Sequence, residues 1–198
     1  MKKFLLTTAA LALLSTAAHA GEPTVLFSNN NWKTFYYAEN GAGEPMCVMS
    51  AMWLWPNKIM GTAMVKWQPS LGLFMHISKS NWSIPTGESV PLSISFDRGM
   101  RDGSGLVMED QKYGSTIQVN VNEDVVGFLE DFGNAKEMTV SFDSGTEKPW
   151  IITMVGSGKA RAVFDKCVSY IRDNAPTQPG MQLSRPAPTQ RMPDFGGI

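Results

Sequence analysis

The chain is poor in the residues that hydrolytic and redox enzymes most often use. Its 198 residues include two histidines, His19 and His76, and two cysteines, Cys47 and Cys167. A Ser or Cys nucleophile needs a base beside it. His19 falls within an N-terminal leader, so only His76 could serve, and it sits among Leu73, Phe74, Met75 and Ile77, the surroundings of a strand histidine. No Gly-x-Ser-x-Gly elbow and no Cys-x-x-Cys pair occurs, which argues against α/β-hydrolase chemistry and dithiol exchange. There is no Lys/Arg cluster of the kind that tracks phosphates, so nucleic acid is not an expected partner. Beyond the first twenty residues no run approaches the roughly 20 apolar residues of a membrane-spanning helix.

The N-terminus is more specific. Lys2 and Lys3 precede an apolar run from Phe4 to Leu14, and Ala18-His19-Ala20 gives a small-x-small site before Gly21. That is the pattern of a cleavable secretory signal peptide, with cleavage expected after Ala20 and a periplasmic or secreted product. No cysteine follows the site, which argues against a lipoprotein anchor. Lys2 and Lys3 leave with residues 1–20, so 15 of the 17 basic residues face 18 acidic ones and the mature formal charge is −3. In an oxidising compartment an even pair of cysteines is expected to be joined. A bridge from Cys47 to Cys167 closes a loop of about 120 residues, for which chain entropy gives on the order of 4 to 5 kcal/mol.

Residues 21–174 read as a single domain. From Ala175 to Ile198 the composition turns to Pro, Gln, Gly, Ser and Thr, and Pro176, Pro179, Pro186, Pro188 and Pro193 predict a disordered tail. Within the domain, alternating apolar segments between turn signals predict strands at Trp32 to Tyr37, Met46 to Trp53, Ile59 to Trp67 and Leu71 to Lys79. More follow at Pro91 to Phe96, Gly105 to Glu109, Ser115 to Val121, Glu137 to Phe142 and Trp150 to Val155, with Asp97 to Gly105 read as a glycine-rich loop. Two helices are expected. One is capped by Asn122, with Val125, Phe128, Leu129 and Phe132 on one face and Gly133 as its stop. The other opens after Ser157 and aligns Ala160, Val163, Phe164, Cys167, Val168 and Ile171. These elements predict a mainly β, α+β domain: an antiparallel sandwich or strongly bent sheet, with its C-terminal helix stapled to the sheet by the disulfide.

Chemical motifs are few. Gly156-Ser157-Gly158-Lys159 sits between a strand and a helix, but a phosphate loop needs Gly six residues before its Lys and Ser or Thr after it; Thr153 and Ala160 occupy those places. Ser157 as a simple helix cap is the better reading. Met46, Cys47, Met49, Met52, Met60, Met64, Met75 and His76 make a soft-ligand-rich stretch that suits Cu(I), giving a copper carrier as one alternative. Strand alternation points Met46 away from Cys47 and Met49, so core filling is favoured. Asp97, Asp102, Glu109 and Asp110 lack calcium-loop spacing. The first three are the candidate acids for a second alternative, a hydrolase of envelope polymers working through paired carboxylates. No metal, cofactor or catalytic residue is otherwise expected. Aromatics are plentiful, and Tyr36, Tyr37, Trp55 and Trp82 are the candidates for an exposed surface that meets a protein or cell-envelope partner.

An early Trp followed by a Cys-bearing strand, then Ile84-Pro85-Thr86-Gly87-Glu88-Ser89-Val90-Pro91-Leu92 and a strand ending in Phe96-Asp97, resembles the invasion-associated locus B family of small secreted bacterial proteins. The similarity covers the middle half of the chain, including the helix before Glu137 to Phe142 and the segment Trp150 to Gly156. It implies an exported β-rich domain, linked in name to host-cell entry, with no assigned catalytic site. The chain departs from the pattern in its long Cys167-bearing helix, its Pro-rich tail, and the lack of a second cysteine near Cys47.

Overall fold

A computed structural model of the chain describes residues 22–110, 114–143 and 145–174. The expected signal peptide and the Pro-rich tail lie outside the described residues. Ten strands and two helices follow in the order β1 (Thr24–Ser28), β2 (Trp32–Tyr37), β3 (Met46–Leu54), β4 (Met60–Gln68), β5 (Gly72–Lys79), β6 (Ser89–Phe96), β7 (Gly99–Asp110), β8 (Gly114–Asn120), α1 (Val125–Asn134), β9 (Glu137–Phe142), β10 (Trp150–Thr153) and α2 (Ser157–Asn174). Every strand pair is antiparallel, and all ten join one sheet in the order β1-β2-β3-β4-β5-β8-β7-β6-β9-β10.

Of the two arrangements expected, the bent sheet is the one observed. The last strand in the order returns to the other end of the sheet. Trp32 Nε1 donates to the Thr153 carbonyl at 3.3 Å and Asn31 Nδ2 to the Val155 carbonyl at 3.2 Å. The enclosed face holds the core, built on Trp32, Met49, Met75, Ile77, Ile117, Phe128, Phe132 and Phe164. Phe132 meets Trp32 edge to face at 4.9 Å.

α2 packs on β1, β2, β3 and α1. The six residues aligned from the 3.6-residue period, from Ala160 to Ile171, are all buried. Its Cys167 forms the disulfide with Cys47 of β3, with the Cα atoms 6.1 Å apart, so the covalent link ties the C-terminal helix to the sheet as expected.

Three local expectations differ. β7 runs for 12 residues through the stretch read as a glycine-rich loop. β6 alternates cleanly and supplies a full partner, from Ser89↔Leu106 to Phe96↔Gly99, and the ladder outweighs the weak strand propensity of glycine. Gly105 is needed there, because a Cβ would collide with Ile117 Cγ2 of β8. The cap of α1 is Asp124, not Asn122: its carboxylate accepts the Gly127 N–H at 3.1 Å, and Arg101 of β7 holds both Asp124 and Asp131 at 3.1 and 3.0 Å. Ser157 is the first residue of α2 rather than a cap, and its buried hydroxyl has no hydrogen-bond partner among the described residues. β1, unforeseen in the sequence, adds an edge strand to β2.

Candidate functional site

The closing of the sheet brings together tryptophans from three distant segments. Trp53 lies near the end of β3, and Trp55 follows it just before a tight turn, Pro56–Lys58, in which Asn57 and Lys58 adopt left-handed backbone. Opposite Trp53 on β4 stands Gly61, where a Cβ would collide with both indoles. That missing side chain is what admits the pair. Trp150 of β10, 3% exposed, is the hub. Its ring centroid is 5.4 Å from Trp53, 5.1 Å from Trp55, 5.1 Å from a stacked Trp82, and 5.5 Å from Phe142. Such pairs add about 0.5 to 1.5 kcal/mol each beyond their buried area.

One carboxylate organises the polar side of this cluster. Glu147, in the segment before β10, accepts from Lys79 Nζ at 2.7 and 2.9 Å, from Trp150 Nε1 at 2.9 Å and from Trp82 Nε1 at 3.2 Å. The Lys79 ammonium also lies 5.1 Å from the centre of the Trp55 ring. Burial of Glu147 opposes its ionisation, but the bonds from Lys79, Trp150 and Trp82 and the charge of Lys79 outweigh burial and hold the carboxyl below its ordinary value. Fully satisfied and ionised, Glu147 is a latch, poorly suited to proton donation.

Beside the cluster opens a cleft of about 540 Å3 whose walls include Trp53, Trp55, Asn81, Lys148 and Ile151. Trp55 and Trp82, expected on a partner surface, therefore belong to one aromatic assembly, half-buried rather than projecting. Tyr36 sits elsewhere, on the enclosed face, with its ring 6.1 Å from Tyr170 of α2. Tyr37 lies in a second groove on the outer face with Phe35, Val48, Met52 and Met64. The four do not form one surface. Trp53 and Trp150 complete the cluster, and sequence reasoning gave them no role; their signal was the density of tryptophan alone.

The candidate acids do not converge. Asp97 is exposed in the turn between β6 and β7 and accepts the Lys136 and Glu137 N–H groups at 2.9 and 3.3 Å. Asp102 and Glu109 stand seven residues apart on β7, about 23 Å along an extended strand, against the 5 to 9.5 Å of a glycosidase pair. The soft ligands are scattered too. Cys47 is in the disulfide, Met49 and Met75 lie in the core, and Met52 faces out. Among the described residues no three His, Cys, Asp or Glu side chains cluster as metal ligands.

His76 belongs to a polar network on the outer face of β4, β5 and β8. Lys66 Nζ lies 2.9 Å from its Nδ1, and its Nε2 lies 3.0 Å from Gln118 Oε1. Lys66 can only donate, so Nδ1 accepts and the Nε2–H donates to Gln118. Burial, then the Lys66 charge, lowers the His76 pKa to about 4; burial lowers that of Lys66 to about 8. A neutral imidazole with both nitrogens engaged is a structural group.

No family model matches the chain, and no curated protein matches it. Among solved structures, the crystal structure of invasion associated protein b from Bartonella henselae shows a weak likeness, with a TM-score of 0.49 and 10% sequence identity over 75% of this chain and 99% of that one.

Proposed function

We propose that the mature chain is an exported, non-catalytic binding or accessory protein, a disulfide-locked β scaffold that presents the aromatic cleft to a protein or cell-envelope partner. The observation that carries this reading is the cleft itself: ring surface from Trp53 and Trp55 opens to solvent beside a carboxylate already spent on three donors. That combination favours holding over turnover. The secretory leader and the Cys47–Cys167 bridge support a periplasmic or secreted location. Intact mass measurement of the exported protein is expected to give a chain beginning at Gly21.

Retention of envelope components on the immobilised mature protein tests the reading. Trp55→Ala, chosen because its ring lines the cleft without being the hub, is expected to lose a component that the wild type retains, with a Tm lowered by the lost contacts to Trp53 and Trp150 but the folded circular dichroism spectrum kept. Equal retention by both proteins would remove the cleft from the function.

A further inference from the structure

We infer that the cleft takes an extended polypeptide segment, which pairs with the open edge of β10 and carries apolar side chains next to an acidic residue. This rests on the cleft being the binding surface. β10 ends the strand order, with β9 on one side only. The Met154 N–H donates to the Lys136 carbonyl of the chain leading into β9 at 2.9 Å, which fixes the phase of the ladder. Met154, Ile152 and Trp150 therefore turn their peptide groups to the β9 side, and Ile151 and Thr153 turn theirs away. The Thr153 carbonyl is met by Trp32 Nε1 and the Val155 carbonyl by Asn31 Nδ2. The N–H and C=O of Ile151 have no strand beside them among the described residues, and Ile151 lines the cleft.

That pair of groups is the template for one rung of an added strand. A residue of the incoming segment facing Ile151 would share its outer face, where the Ile151 side chain is 70% exposed. The residues before and after it would turn inward, over Trp53 and Trp55, because side chains alternate along a strand. Pro149 has no N–H and limits pairing at the start of β10, so the contact is short and depends on those inward side chains.

The polar inventory favours a peptide over a sugar. A saccharide would be read by buried side chains free to bond hydroxyls, yet in this cleft the less exposed pair, Lys79 and Glu147, is engaged with each other and with two indoles, which leaves the exposed Asn81, Thr146 and Lys148 at the rim. Lys148 is exposed at the cleft and no carboxylate pairs with it among the described residues. Its charge suits a carboxylate on the incoming chain.

Acetylated, amidated heptapeptides of the form Asp-Ser-x-Thr-z-Ser-Asp, with x and z drawn from Ser, Val, Leu, Phe and Trp, are titrated against the mature protein by tryptophan fluorescence. The apolar members are expected to bind and the Ser-Ser member not. N-methylation of the central Thr should weaken binding about tenfold, because it removes a backbone donor. Lys148→Glu should weaken it severalfold, while a Lys148→Gln protein with neutralised peptides should not. Binding indifferent to N-methylation, or no binding by any member, overturns the inference. Chitotetraose serves as the saccharide arm. If it binds and the peptides do not, with Trp55→Ala abolishing the signal, the cleft remains the site and the peptide assignment is wrong. If neither binds, the peptide assignment fails, and the retention experiment with Trp55→Ala decides the functional reading on its own. A concentration-dependent dimer abolished by Ile151→Lys would place a second copy on the edge and also overturn the proposal.

Discussion

Two ion pairs show how location decides what a charge contributes. Arg161 and Asp165 on α2 form a half-exposed i,i+4 pair at 3.1 Å, worth only about 0.3 to 0.5 kcal/mol; Asp165→Asn should move the urea midpoint barely at all. Glu147 is different, because its removal leaves the Lys79 ammonium and two indole N–H groups without their acceptor. Glu147→Ala is expected to cost roughly 2 to 4 kcal/mol in urea unfolding, with a changed tryptophan emission. Gly61→Ala belongs with it: the added methyl has to displace Trp53 and Trp55. A loss of about 1 to 3 kcal/mol, as for other overpacked sites, is expected. Neither the Glu147 nor the Gly61 role was readable from the chain. Lys79 and Glu147 are 68 positions apart, and an isolated Gly opposite a Trp carries no periodic signal.

Elements were legible where one face is buried and the period is regular. The stripe on α2 and the alternation of β6 are of that kind, and the structure buries them as the pattern requires, whereas β3, β4 and β5 carry runs of consecutive buried residues and were legible from their apolar content between turn signals. β7 was not, since glycines at 99, 103 and 105 look like a loop until β6 and β8 supply partners on both sides. The β4, β5 and β8 network adds a pH dependence. The folded pKa of His76 is depressed from 6.5 to about 4, so the unfolded chain binds the extra proton between those values. The His76 contribution to stability is then full above pH 6.5 and declines as pH falls toward 4, by about 3 kcal/mol at most. Lys66, depressed from 10.5 to about 8, follows the same sign: stability rises between pH 8 and 10.5. His76→Gln should flatten the acid limb of a urea-midpoint profile between pH 4 and 6.5, and an unchanged slope there would remove His76 as its cause.

At the scale of the molecule, the disulfide joins positions 120 residues apart and ties α2 to β3. Reduction, or replacement of both cysteines by Ala, is expected to remove on the order of 4 to 5 kcal/mol, a large share of a domain's usual 5 to 15 kcal/mol. Guanidinium unfolding with and without reductant measures it. The bridge and the β-rich class were both written in the sequence, because cysteine count and strand alternation are local or compositional. The cleft was not, since it exists only after the sheet bends far enough for β10 to reach Trp53. The central claim is that this seam meets a partner in the envelope. The most direct measurement is photocrosslinking in living cells from a benzophenone amino acid placed at Ile151 and, separately, at Val126 of α1, both highly exposed apolar positions. A discrete crosslinked product from position 151 that is absent from position 126 is the predicted result; no product from 151, or the same products from both, would contradict the account.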